Sequence, residues 1–277
     1  MGTVTVGREN STPVELYYED HGAGPPVVLI HGFPLDCHAW EKQTAALLDA
    51  GHRVIAYDRR GFGASSQPTT GYDFTTLAND LNTLVTTLDL HEAVFIGHDM
   101  GTGEIVRYLS AYGSQRASRA ILISPLQPSL LKAPDNPGGL ERSAFEEAME
   151  AIRRDRAAYL TGFVATCYNA EIELGNRISA DALRHCWGIG MRASAKATVD
   201  CVAARLTDFR ADLPRVDVPV LVVAGDRDQV LPFLSTVARL EAALSRSMVQ
   251  LIEGAPHGLL WTHADEVNCA ILNFIDM

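Results

Sequence analysis

Three things are missing from this sequence, and each absence removes a class of function. No apolar stretch in its 277 residues approaches the roughly 20 needed to cross a bilayer, so a membrane role is not expected. Lys and Arg total 23 against 34 Asp and Glu, a net charge of −11, and no run of basic residues occurs. Nucleic acids and anionic lipid surfaces select basic patches, so neither is an expected partner. The cysteines (Cys37, Cys167, Cys186, Cys201 and Cys269) are odd in number and scattered, with no C-x-x-C and no His/Cys cluster. That pattern speaks against a zinc site or a disulfide framework and fits reduced thiols in a cytoplasmic setting. The opening "MGTVTVGREN" has no charged segment followed by an apolar one, so a secretory leader is not expected. Its Met-Gly start is not a myristoylation signal, because Val6 stands where Ser or Thr is needed.

What is present is ordinary globular composition, 47% hydrophobic and 21% charged. A chain of this length can bury a core without metal or disulfide staples. Strand-like and helix-like runs alternate. "PVELYYED" (13–20) alternates in polarity and reads as an edge strand of a hairpin. "PPVVLIHG" (25–32) is continuously apolar, as a strand buried on both faces should be. Further strands are expected at 52–63, 93–99, 118–124, 219–228 and 247–254, with helices at about 37–50, 74–90, 101–113, 232–244 and 264–276. This rhythm predicts an α/β domain built on a mostly parallel, doubly wound sheet. It is interrupted at 125–212, where helical runs such as "RSAFEEAMEAIRRDRAAYLTGFVATCY" follow a Pro/Gly-rich connection. Residues 1–124 and 213–277 are therefore expected to form the core domain. The segment 125–212 is expected to be a helical cap over the strand C-terminal ends, where open α/β sheets bind ligands.

Three loops at strand ends carry chemistry. "FIGHDMGTGE" (95–104) puts Asp99 on a Gly-flanked strand-to-helix turn. "GDRDQVLP" (225–232) offers Asp226 and Asp228, and "GAPHGLL" (254–260) offers His257. The chain order, elbow residue then acid then histidine, is that of an α/β-hydrolase triad. Over almost its whole length the chain resembles the α/β-hydrolase superfamily. "ENSTPVELYYEDHG", "YDRRGFGASS", "GTGEIVRYL" and "EGAPHGLLWTHADEVN" are similar to the cofactor-free haloperoxidase and esterase branch. In that branch the acid precedes the proline of a D-x-x-x-P segment by four residues, which implies Asp228. The branch carries serine at the elbow. "GHD" at 97–99 with "HGFP" at 31–34 resembles instead the epoxide hydrolases, whose nucleophile is an aspartate. Haloalkane dehalogenases share that aspartate, but they place Trp or Asn where Met100 and Phe33 stand here.

The elbow residue decides the chemistry. An aspartate is ionised at pH 7, roughly three units above its reference pKa, and needs no base to attack. Against an ester it would form a high-energy anhydride. Against a strained or activated saturated carbon it forms a stable alkyl ester. His257, oriented by Asp228, can then activate water to hydrolyse that ester. The N–H groups of Phe33 and Met100 are the expected oxyanion hole. The expectation is therefore an epoxide hydrolase that needs neither cofactor nor metal, working through an Asp99 alkyl-enzyme ester on a small apolar epoxide and water. The resemblance implies a lid tyrosine as ring-opening acid, Tyr168 first and Tyr159 second. His98, Trp187 and His185 are further pocket candidates, while His31 is expected to order the oxyanion loop. A haloalkane-type dehalogenase, or a serine enzyme inactivated by Asp at the elbow and kept for ligand binding, are the alternatives. A homo-oligomer, dimer or trimer, is in keeping with the resemblance.

Overall fold

A computed structural model describes every residue from Met1 to Met277. Its strands are β1 (Gly2–Glu9), β2 (Thr12–His21), β3 (Pro26–Ile30), β4 (Arg53–Tyr57), β5 (Ala93–His98), β6 (Ala117–Ile123), β7 (Val220–Gly225) and β8 (Ser247–Ile252). They form one eight-stranded sheet in the order β1-β2-β4-β3-β5-β6-β7-β8. Pairing is parallel from β4 through β8; β2 runs antiparallel to both β1 and β4. The edge belongs to β1, not to the 13–20 segment expected there. Only Val4 of β1 is buried, and Gly2 and Gly7 dilute its strand signal, so the alternation is faint.

The helices are α1 (Glu41–Asp49), α2 (Phe74–Thr87), α3 (Met100–Tyr112), α4 (Arg142–Cys167), α5 (Ala170–Glu173), α6 (Ala180–Arg192), α7 (Ala195–Ala204), α8 (Val237–Ala243), α9 (Leu259–Thr262) and α10 (Ala264–Ile275). Alternate strand residues point to opposite faces of the sheet. Val28, Ile30 and Phe95 therefore pack with Leu77, Leu81 and Ile105 of α2 and α3. Val27, Leu29 and Ile96 pack on the other side with Leu47 and Ile271 of α1 and α10. The Asp73 carboxylate accepts the Thr75 and Thr76 N–H groups at 3.0 Å, which fixes the start of α2. The helix expected at 232–244 is shorter than read, because a 3-10 turn at Phe233–Ser235 precedes α8.

All four helices between the paired strands β6 and β7 lie within 125–212. α4 is broken at Asp155, which leaves the helical region (φ −158°, ψ 91°) and accepts the Ala158 N–H at 3.0 Å, capping the second half. That half crosses the loops at the strand C-termini. Phe163 meets Phe33 edge to face at 5.4 Å. The Cys167 carbonyl accepts the Gly258 N–H at 2.7 Å, and Asn169 Nδ2 donates to the Arg227 carbonyl at 2.9 Å.

Candidate active site

The turn between β5 and α3 holds Asp99 in a left-handed conformation (φ 48°, ψ −113°). A non-glycine residue there carries strain of about 1–3 kcal/mol. The turn closes because its neighbours lack side chains. A Cβ on Gly97 would lie 2.5 Å from the Gly101 carbonyl carbon, and one on Gly101 would lie 2.1 Å from the Ile30 oxygen. The Asp99 N–H donates to the Ile123 carbonyl at 3.0 Å, and Thr102 Oγ1 donates to the Asp99 carbonyl at 2.6 Å.

The Asp99 carboxylate is fully buried and held at both oxygens. Oδ2 accepts the Phe33 N–H at 3.0 Å. Oδ1 accepts from Arg205 Nη2, also at 3.0 Å. Met100 is the first residue of α3, where N–H groups have no partner within the helix and the dipole favours an anion. Burial pushes the Asp99 carboxyl up. The charges of Arg205, His257 and His98 and the Phe33 N–H outweigh it and hold Asp99 below the usual carboxylate range.

His257 follows β8, and its Nδ1 lies 2.8 Å from Asp228 Oδ2. The other Asp228 oxygen accepts the Val230 and Leu231 N–H groups at 2.8 and 2.7 Å, so the acid cannot swing away. Asp226 caps a turn instead: it is exposed and accepts the Gly254 N–H at 2.6 Å. Nε2 of His257 is buried without a partner. Burial lowers the His257 pKa; the Asp228 contact and the Asp99 charge reverse this, and the net shift is upward. Asp228 is held below its ordinary range, because its bonds to His257 and to the two amides outweigh burial.

His98 supports this pair. Its ring lies 4.8 Å from that of His257, and its Nε2 sits 3.0 Å from the His257 carbonyl oxygen. Burial and the neighbouring His257 push it down to about 4, so it is neutral. Phe33, Phe163, Tyr168, His98 and His257 enclose a cavity of about 10 Å³ beside the triad, near the minimum for one water.

The remaining predicted residues separate. Tyr168 is a wall: its hydroxyl lies 3.1 Å from Cys186 Sγ, and its ring fills the space a Cβ on Gly258 would need. Tyr159 stacks on Phe163 and feels the charges of both Arg205 and Asp99, with no hydrogen bond at its hydroxyl. Tyr168 thus lines the cavity beside His257 with its hydroxyl on Cys186, whereas Tyr159 lies outside that cavity with its hydroxyl unengaged. His31 spans the loops, with Nδ1 near the Gly32 carbonyl at 2.9 Å and Nε2 accepting the Arg59 N–H at 3.0 Å. Burial drives it down to about 3. Trp187 and His185 lie away from the triad, correcting their reading as pocket groups. Trp187 donates to the Ala157 carbonyl at 3.3 Å and lines an outer groove of the cap, and His185 is exposed near Trp261. α6 turns only its 182, 186, 189 and 190 positions inward, and neither residue is on that face.

Arg205, at the C-terminal end of α7, is the residue the sequence reading missed. A signal existed: Cys201 and Ala197 lie one and two turns before it on the same buried stripe. A charge continuing an apolar stripe needs a partner, and here the partner is Asp99.

The sheet, the elbow and the His257–Asp228 pair match a known fold. The α/β-hydrolase fold family matches residues 25–264. The chain belongs to the α/β-hydrolase family. A candidate non-heme chloroperoxidase of Synechocystis sp. is 54% identical over 275 residues, covering 99% of this chain and 100% of the relative. The crystal structure of a bromoperoxidase from Bacillus anthracis superimposes with a TM-score of 0.95 at 41% identity, covering 100% of this chain and 99% of that one. A bifunctional epoxide hydrolase of Sus scrofa is 40% identical over 119 residues, 42% of this chain and 21% of that protein. This chain is thus a hydrolase of the α/β fold, similar along its whole length to non-heme haloperoxidases.

Proposed function

We propose that this α/β-hydrolase opens epoxides to vicinal diols, with Asp99 as nucleophile. One observation carries the reading: the elbow carboxylate already sits in the oxyanion loop through the Phe33 N–H, while the His257–Asp228 pair beside it is intact. Oδ1 is then the attacking oxygen. It forms a bond to a ring carbon, the C–O bond breaks, and the electron pair goes to the ring oxygen, which takes a proton from Tyr159. Burial raises the Tyr159 pKa, so the phenol is protonated and available.

The ester that results carries no charge. This removes the anion that helps to raise the His257 pKa, so forming the intermediate shifts His257 toward its neutral form, which can accept a proton. Water attacks the Asp99 carbonyl and gives its proton to His257 Nε2, which faces no competing partner. The oxyanion develops on Oδ2 against the Phe33 N–H and the start of α3, and losing such a donor typically costs about 3 kcal/mol. The diol leaves with the proton held by His257. The regenerated Asp99 acid returns its proton to Tyr159.

Replacing His257 by Gln should stop the reaction after its first step. Intact-mass spectra after incubation with a terminal epoxide should then show a stoichiometric adduct on the peptide containing Asp99. No adduct and no diol across a panel of epoxides would sink the proposal. The relatives favour a second reading, in which a serine-type scaffold carries Asp99 as a fixed anion paired with Arg205. On that reading Asp99→Ser gains hydrolysis of p-nitrophenyl acetate, while the parent turns over neither epoxide nor alkyl halide.

A further inference from the structure

Arg205 is not explained by ring opening alone. It comes from the cap, more than nine-tenths buried, and its one hydrogen bond is to Asp99 Oδ1. Nε is buried without a partner. A guanidinium carries five donors in a rigid fork suited to two oxygens of one carboxylate, and a buried one with a single bond is under-satisfied. Its Cζ lies 5.9 Å from the centre of the Phe33 ring, over the oxyanion loop. Tyr159 and His257 both feel its charge, so the guanidinium lies among the groups that would act on a substrate. The oxygen it holds is also the one left free by the Phe33 N–H, hence the nucleophilic one. A neutral substrate would have to compete with that ion pair. A substrate bearing a carboxylate would take the fork itself and release Oδ1 beside the carbon next to its own carboxyl group.

We propose that Arg205 is the anchor for the carboxylate of a short 2,3-epoxy acid, so that the substrate is an acid rather than the apolar epoxide first expected. This rests on the epoxide reading for the reaction but not for the binding.

The test separates the two. Calorimetry with intact protein measures cyclopropanecarboxylate, an unreactive analogue, against cyclopropanecarboxamide, the same shape without charge. The acid should bind roughly 100-fold more tightly than the amide, a ratio expected for a buried charge pair. Arg205→Met should erase that preference, and Arg205→Lys should restore part of it. Equal binding of acid and amide by the parent, or no binding of either, overturns the proposal without any variant. So does an Arg205→Met protein that melts cooperatively and still prefers the acid. Glycidate turnover is then measured on the parent: tight acid binding without diol release keeps the anchor and overturns the epoxide reading.

Discussion

At the scale of single residues, the central relation is between Asp99 and His257. Asp99 contributes to the upward shift of His257, and Arg205 opposes it. Replacing Asp99 by Asn removes the supporting anion and leaves the opposing cation, so the His257 titration should move down. Histidine NMR titration of the parent and the Asp99→Asn protein checks this; an unchanged or higher value contradicts it. The same coupling means that forming a neutral ester lowers the His257 pKa and favours its neutral form, the one able to take a proton from water. Sequence reading placed Asp99, Asp228 and His257 because strand-end loops and Gly-flanked turns leave local signals. It missed Arg205 because the apolar stripe of α7 hints at a buried charge there but not at its partner, Asp99, 106 residues away. The Tyr168–Cys186 contact is likewise tertiary and leaves no local signal.

At the scale of elements, β4 and α3 are tied by a buried network. Arg59 Nε donates to Glu104 Oε2 at 2.9 Å, Arg59 Nη2 donates to the His31 carbonyl at 2.8 Å, and the Tyr57 hydroxyl also donates to Glu104. Both Arg59 and Glu104 are essentially unexposed. Glu104→Leu would leave the guanidinium charged and unpaired, which costs about 3–5 kcal/mol. Thermal unfolding should fall by roughly 10 °C, given about 2–4 °C per kcal/mol for a chain of this size. A shift of less than a few degrees would show that the pair contributes little. The main strands were legible because β3, β5 and β7 carry continuous apolar runs; β1 was not, with one buried residue in eight. The break in α4 at Asp155 was hidden inside a run with good helical propensity on both sides.

For the whole molecule, the carboxylates and the histidine set opposite limits on stability. Asp99 and Asp228 have folded pKa values below their ordinary ones. Their contribution is complete above the ordinary carboxylate range and is lost as pH falls through the depressed values. His257 is raised, so its contribution is complete below the ordinary histidine value and is lost as pH climbs through the raised one. His31 and His98, pushed down to about 3 and about 4, stay neutral in the fold, so stability also falls as pH drops below the ordinary histidine value. Urea midpoints measured across pH should therefore be highest near neutral pH and fall on the acid side; a midpoint that rises from neutral pH into acid contradicts this. The family and its sheet are shared with haloperoxidase relatives, and the aspartate at the elbow sets the proposed chemistry. Under single-turnover conditions in water enriched in oxygen-18, with enzyme in excess over epoxide, label should enter the peptide containing Asp99, and the first diol formed should carry unlabelled oxygen from the protein. Label appearing only in the diol, with Asp99 unlabelled, would contradict attack by Asp99.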